Sequence, residues 1–248
     1  MNRYLKPSCL PFMTLAAGIL GLALRLWLMA TGVDAKGLLI TTHPAHILVF
    51  VLTALVMGFL ALAVRPLDAL KHYTDLFPRK PLAGLGCIAA AAGVLLVCLQ
   101  DRRMRADMVT NVSLILGVLA AICLVLIAIC RFNGRRPFFG LHCIVTLFMM
   151  VHLVSQYRLF SSEPQLQVYF FPLLGSVSLM LTAYYSAVLD ARKSSRRWFV
   201  FCNQSALFFC CVSVCGESWL FYLTMAFWMF TGLCSLDMTA PEIAEEAD

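Results

Sequence analysis

Polar side chains that could do chemistry fall on one stripe of an apolar segment in the middle of the chain. At 100° per residue, His142, Thr146, His152 and Gln156 lie within a sector of about 120° on one helix face. Imidazole and amide groups can bind solutes or carry protons, but a polar group without a partner is costly in lipid. The stripe must therefore face other helices or a polar cavity.

Residues in the two following apolar segments reach the same depth as His142. If consecutive segments alternate in direction, Tyr184 and Tyr185 in the first and Asn203 and Gln204 in the second lie in the same half of the membrane. We therefore predict a pocket for a small molecule or an ion, formed by His142, Tyr185, Asn203 and Gln204. The alternative is that these groups only make hydrogen bonds between helices, which hold the bundle together.

A second set of possible ligands lies at the start of the second apolar segment, where His43 and His46 are three residues apart. Residues at this spacing share a helix face, so the two imidazoles could chelate one metal ion. The same pattern is typical of an amphipathic helix start with His43 as the N-cap. The metal site is a hypothesis that needs a further ligand, such as Asp107 or Glu217.

Arg25 is the one charged residue that lies well inside a predicted apolar segment. An ionisable group within the membrane is expensive and is by default a candidate for function. Its side chain can extend to the headgroups, or it can face inward and pair with Asp34, Asp107 or Glu217. The inward orientation makes Arg25 a candidate binding residue.

Motifs for cofactors are missing from the sequence. There is no nucleotide-binding loop, HExxH or paired-aspartate motif, and nearly all of the eleven cysteines lie inside apolar runs, as small packing residues do. No cofactor is therefore expected. One exception is kept as an alternative: a b-type haem needs two axial imidazoles at one depth, and His46 and His152 could supply them if their helices touched.

The composition indicates which elements position these residues. The chain has 248 residues, of which 61% are hydrophobic and 13% are charged, and its mean hydropathy is +0.86. Soluble domains average about 45–50% apolar and about 25% charged residues. This composition excludes a soluble enzyme and a disordered or collagen-like chain, and it predicts an all-α polytopic integral membrane protein in contact with the lipid bilayer.

Eight apolar runs are long enough to cross a hydrocarbon core about 30 Å thick. Their predicted boundaries are 9–31, 45–64, 82–99, 109–130, 138–157, 166–189, 198–215 and 219–235. Because only three residues separate the last two runs, seven transmembrane helices are the alternative. The sequence thus predicts one transmembrane helical domain over 1–235, no soluble domain, and a short acidic, flexible cytoplasmic tail over 236–248.

The distribution of Lys and Arg predicts the orientation. With the N-terminus inside, the inner segments carry thirteen of these residues and the outer segments five. Both termini are then cytoplasmic, and the compact loops are consistent with a bacterial inner membrane. Three of the five outer residues, Arg102, Arg103 and Arg105, do not follow the bias. Inner loops that face anionic lipid account for the net charge of +6, so nucleic acid is not a predicted partner.

Three functions remain open at the level of sequence. The first is a small transporter or ligand-binding membrane protein with a polar intramembrane pocket. The second is an accessory or assembly protein whose polar contacts are purely structural. The third is a membrane-embedded enzyme or b-type haem redox protein. The polar groups that share one depth favour the first function, while the sequence indicates neither a reaction nor an oligomeric state.

Overall fold

The computed structural model describes residues 9–32, 43–65, 81–104, 107–160, 166–191, 196–216 and 218–236. Eight helices hold 91% of these residues, which contain no strand. The helices are α1 (Leu10–Thr31), α2 (Pro44–Ala63), α3 (Pro81–Met104), α4 (Met108–Phe132), α5 (Phe139–Phe160), α6 (Leu166–Asp190), α7 (Arg196–Ser213) and α8 (Trp219–Ser235). The all-α bundle predicted from composition is confirmed, and the tail from 237 onward lies outside the described residues.

The end of α3 differs most from its predicted position. The apolar run stops at 99, but the helix continues to Met104. No proline or glycine interrupts the chain between Gln100 and Met104, so the helix extends past the hydrophobic stretch. As a result Asp101, which hydropathy assigns to a loop, lies on α3 and is largely buried.

The same helix end gives a physical reason for the arginines that break the charge bias. Arg102 and Arg103 lie in the last turn of α3 and are exposed. Cations at this position interact favourably with the carbonyl groups that a helix C-terminus leaves without partners. Their position therefore follows from the helix terminus as much as from membrane orientation.

Six helices, α1 to α6, are long and apolar enough to cross a membrane. Their outward faces carry large apolar side chains, of which Leu55, Leu62 and Ile115 are each more than 60% exposed. Apolar surface this extensive is stable against lipid rather than water. The chain is therefore a multi-pass membrane protein.

Helices α7 and α8 are shorter than the other six. Fifteen of the 18 residues of α7 are buried, so this helix is surrounded by protein and its sequence need not be as apolar as that of a lipid-facing helix. Helix α8 is apolar but has only 17 residues. All eight predicted runs are thus helical, and the crossing of the membrane by α7 and α8 as a tight hairpin stays a prediction.

Six of the helices form a closed ring. Each helix from α3 to α8 packs on the next, and α8 packs on α3, while α1 and α2 lie outside the ring against α7. Chain neighbours are antiparallel: Cys98 near the end of α3 contacts Ser113 near the start of α4. The odd-numbered helices thus begin at one end of the bundle, here named the lower end, and the opposite end is the upper end.

Glycines on α3 close the ring. Gly86 and Gly93 face Thr231 and Thr224 of α8, and a Cβ atom at either glycine would overlap the threonine hydroxyl. Small residues allow helices in a membrane to approach closely. The close approach of α8 to α3, which completes the ring, therefore needs glycine at these two positions.

Candidate binding cavity on the ring axis

A cavity with both polar and apolar side chains in its wall lies between the six ring helices near the lower end, and each of them contributes to that wall. The lining residues are Ala83, Cys87, Ile127, Arg131, His142, Thr182, Ser186, Phe199, Asn203, Trp228, Met229 and Gly232. Its volume is about 40 Å³. Since one water needs about 10–15 Å³ of such volume, the cavity has room for about three or four water molecules or a solute of similar size.

His142 is held in the cavity wall by a carboxylate. Its Nδ1 lies 2.6 Å from Oδ2 of Asp190, and the two residues are only 2% and 5% exposed. His142 lies in the first turn of α5 and Asp190 is the last residue of α6, so the pair joins the lower ends of two neighbouring helices. With Nδ1 at the carboxylate, Nε2 is the ring nitrogen left for the cavity.

Helix α4 adds Arg131 to the wall, and α6 and α7 supply its hydroxyl and amide groups. Ser186 Oγ donates to the Thr182 carbonyl at 2.7 Å, and Asn203 Nδ2 donates to the Phe199 carbonyl at 2.8 Å. By contrast, Oγ1 of Thr182 is buried and has no hydrogen-bond partner among the described residues. A buried hydroxyl in this state is costly, so Thr182 is the group best placed to bind an occupant of the cavity.

The structure brings together two of the four residues predicted to form a pocket. His142 and Asn203 line the cavity. Tyr185 instead stacks on Trp198, with ring centroids 6.4 Å apart. Gln204 is fully buried, but it projects from a different face of α7 because successive helical residues are rotated by about 100°.

Sequence reasoning missed the residues that α6 contributes. Thr182, Ser186 and Asp190 are spaced four residues apart and therefore share one helix face. This polar stripe resembles the one on α5 and could have been found in the same way. The predicted apolar run ends at 189, so hydropathy assigns Asp190 to the following connection rather than to the helix.

Arg25 faces the bundle rather than the headgroups. It is 4% exposed, its Nη1 donates to the Val212 carbonyl at 3.1 Å, and the guanidinium carbon lies 5.5 Å from the centre of the Phe171 ring. That distance allows a cation–π interaction. These contacts lie at the upper end, away from the cavity, and two of the acids predicted to pair with Arg25, Asp34 and Glu217, lie outside the described residues.

His43 and His46 have different partners. His43 caps α2: its Nδ1 accepts a hydrogen bond from Ala45 N at 3.3 Å, and its Nε2 lies 3.3 Å from Oγ1 of Thr31. The ring of His46 packs on Phe50 at 4.9 Å between centroids. In the described part of the chain no group of three or more His, Cys, Asp or Glu side chains is placed to hold a metal ion, and all eleven cysteines are free. The metal site at this pair stays a hypothesis.

The haem hypothesis depends on contact between α2 and α5. In the described ranges α5 packs on α4 and α6, whereas α2 packs on α1 and α7. The ring of His152 lies between those of Phe148 and Phe221, at 5.8 and 5.0 Å between centroids. The arrangement therefore does not provide the facing pair of His46 and His152 that a haem would need.

Comparison of the chain with protein-family models, with curated proteins and with solved structures gives no match in any of the three. The function has to be inferred from the residues of the cavity and their surroundings.

Proposed function

We propose that this chain is a small membrane transporter that takes a polar solute or an ion into the cavity at the lower end of the ring. The observation that carries the proposal is the convergence of six helices on one partly polar cavity, with the His142–Asp190 pair and the Thr182 hydroxyl in or beside its wall. Polar and ionisable groups inside a membrane bundle are expensive, and they commonly mark the path of a substrate or an ion.

The size of the cavity limits the substrate. Pockets for drug-sized ligands have volumes of about 300–1,000 Å³, whereas this cavity has about 40 Å³. The substrate is therefore a solute with few non-hydrogen atoms. Hydroxyl, amide and imidazole groups suit a neutral hydrogen-bonding molecule such as urea, and Arg131 adds a positive charge that suits a small anion such as formate.

The orientation of the transporter follows from its loops. The segments at the lower end carry most of the Lys and Arg residues outside the helices, so this end is assigned to the cytoplasm. Both termini are then cytoplasmic, and in a bacterium the protein would lie in the inner membrane. The cavity would load from the cytoplasmic side.

An accessory role with structural polar contacts is the second candidate. It is favoured by hydroxyl groups that bond to a carbonyl one turn earlier in their own helix, as those of Thr14, Thr146, Ser178 and Ser235 do. Such hydroxyl groups find a hydrogen-bond acceptor in their own helix and need no ligand. The Thr182 hydroxyl does not follow this pattern, and the two candidate functions therefore differ most at this residue.

The test compares Thr182→Val with Thr146→Val. Each substitution replaces a hydroxyl by a methyl of similar size, but the Thr146 hydroxyl donates to the His142 carbonyl at 2.8 Å and does not line the cavity. Proteoliposomes are mixed with urea or formate, and uptake is followed by light scattering during osmotic swelling. We expect wild-type vesicles to swell faster than protein-free vesicles with at least one of the two solutes.

Thr182→Val should change the rate of that uptake several-fold, and Thr146→Val should leave it close to wild type. Swelling equal to that of protein-free vesicles with both solutes would contradict the proposed transport and favour the accessory role. Equal rates for Thr182→Val and the wild type would exclude this cavity as the binding site.

A further inference from the structure

A second pair of histidine and aspartate lies at the upper end of the same ring. Nδ1 of His152 is 3.7 Å from Oδ2 of Asp101, and the side chains are 1% and 19% exposed. The pair joins α5 to α3, the two helices that flank α4. His152 and His142 are ten residues apart on α5, so the two pairs are separated by about 15 Å along the helix.

The polar atoms of the upper pair are buried and incompletely bonded. Both ring nitrogens of His152 and Oδ2 of Asp101 have no hydrogen-bond partner among the described residues, and the same is true of Oγ of Ser113 on α4. A distance of 3.7 Å is too long for an N–H···O hydrogen bond. Buried polar groups in native structures are normally satisfied, so these atoms indicate a site that a ligand completes.

We propose that Asp101 and His152 form a proton-binding site that takes up one proton as a unit. With the carboxylate ionised and the imidazole neutral, the pair carries one negative charge in a poorly solvated place. One proton from water, entering through the partly exposed Asp101, brings the net charge to zero, and no other bond forms or breaks. The proton then rests on the carboxyl group or on the imidazole, where it makes an ion pair with the carboxylate.

Two other titratable side chains lie near this pair. From α3 the thiol of Cys98 donates to the Ser113 carbonyl at 3.7 Å, and from α8 the phenol of Tyr222 donates to the Pro172 carbonyl at 3.0 Å. Ordinary thiols and phenols hold their protons below about pH 8. Helices α4 and α6 present the hydroxyl groups of Ser113 and Ser176, which do not titrate, and the neighbouring Arg102 and Arg103 are exposed to solvent.

An apolar layer separates the two ends of the ring. Phe148, which lies between His142 and His152 on α5, and Met225 of α8 are both fully buried. A barrier of this kind keeps a proton at the upper end apart from a solute at the lower end, as a transporter that opens to one side at a time requires. We infer that the bound proton drives movement of the solute across the membrane; this coupling rests on the proposed function, whereas proton binding itself does not.

The first experiment counts protons. Purified wild-type protein in weakly buffered detergent is brought from pH 8 to pH 5, and proton uptake is measured with an indicator dye. Asp101→Asn should take up one proton fewer than the wild type. Asp107→Asn, which changes an exposed carboxylate at the same end and leaves the buried pair intact, should match the wild type.

Equal uptake by Asp101→Asn and the wild type would overturn the proton site. Thermal unfolding shows whether the variant is folded, and Asp101→Ser, which has a smaller side chain, takes its place if Asp101→Asn does not fold. The same one-proton difference is expected for either substitution.

The second experiment tests the coupling in proteoliposomes. A pH gradient should accelerate uptake of urea or formate several-fold in the wild type and leave uptake by Asp101→Asn unchanged. A rate of uptake that is the same with and without the pH gradient would overturn the coupling but leave the proposed transport intact. A one-proton difference in detergent without uptake of either solute would overturn the transport and leave the proton site intact.

Discussion

The imidazole of His142 and the carboxylate of Asp190 meet at 2.6 Å and join the lower ends of α5 and α6. Both residues are buried, so removing one of them leaves the other in a poorly solvated place. Breaking a buried pair in this way costs about 3–5 kcal/mol in other proteins. The pair is therefore a structural element of the cavity wall as well as a candidate binding group.

We expect His142→Ala and Asp190→Ala each to lower the free energy of unfolding by a few kcal/mol. The double variant should lose less than the two single losses combined, by at least about 1 kcal/mol, because residues in contact are not additive. Denaturant unfolding in detergent measures all three variants. Additive losses would show that the contact contributes nothing, and Tyr184→Ala, an exposed side chain on α6, controls for changes in that helix.

The sequence was sufficient to predict the helices and the level along the bundle that His142 and Asn203 share. Charged residues delimit the apolar runs, and strict alternation of direction places His142 and Asn203 at one level. The sequence does not indicate how a helix is rotated about its own axis when apolar residues occupy every side of that helix. Tyr185 and Gln204 therefore have the predicted depth but face Trp198 and another side of α7.

Two acidic residues could not be found by hydropathy for a different reason. A run of apolar residues ends at its first charge, whereas a helix ends where the backbone is capped or interrupted. Asp101 and Asp190 lie in the interval between these two limits. Each pairs with a histidine of α5, so both of these His–Asp pairs depend on a residue that lies beyond an apolar run.

Removal of the Tyr222 hydroxyl should loosen the contact between α8 and α6. This hydroxyl donates to the Pro172 carbonyl at 3.0 Å and lies 3.2 Å from Oγ of Ser176, all of them buried. A hydrogen bond of this type contributes about 0.5–1.5 kcal/mol, and an orphaned partner adds to the loss. We expect Tyr222→Phe to lower the free energy of unfolding by about 1–2 kcal/mol.

Tyr184→Phe is the matched control for Tyr222→Phe, because it removes a phenol hydroxyl from an exposed side chain. Its midpoint of unfolding should equal that of the wild type. If the two variants unfolded at the same denaturant concentration, the bond between α8 and α6 would have no net effect on stability.

The contact between α3 and α8 should tolerate no side chain at Gly86 or Gly93. A Cβ atom at either position would overlap the hydroxyl of Thr231 or Thr224, and both threonines are on α8. Overpacking of this kind typically costs about 1–3 kcal/mol. Gly86→Ala and Gly93→Ala should therefore lower the melting temperature, whereas Gly58→Ala on α2, which has no atom within 4 Å of its new methyl, should not.

Restoring space on α8 provides the reciprocal test. Thr231→Ser keeps the hydroxyl and removes a methyl, whereas Thr231→Ala removes the hydroxyl that the added Cβ would meet. Thr231→Ala should rescue Gly86→Ala, and Thr231→Ser should rescue it less. Failure of Thr231→Ala to raise the melting temperature of the glycine variant would mean that the two helices do not approach at this point.

Substitutions at Arg25 can show whether its guanidinium group is buried in the bundle or reaches the lipid headgroups. Its Nη1 donates to the Val212 carbonyl, and its guanidinium carbon lies over the Phe171 ring. Lysine keeps the charge but has a shorter reach and no planar group to stack, so Arg25→Lys would leave an ammonium in a buried place. Methionine keeps the apolar stem and removes the charge, and the Val212 carbonyl retains a contact from the Cys215 thiol at 3.6 Å.

We therefore expect Arg25→Lys to lower the melting temperature in detergent more than Arg25→Met does, since apolar replacements of buried ionic groups are often neutral whereas an uncompensated charge is not. A side chain that extended to the headgroups would give the opposite order, because lysine reaches water as well as arginine does. The pair Arg102→Lys and Arg102→Met provides the control at an exposed arginine. There both substitutions should change the melting temperature by little, so the order found at position 25 can be assigned to burial.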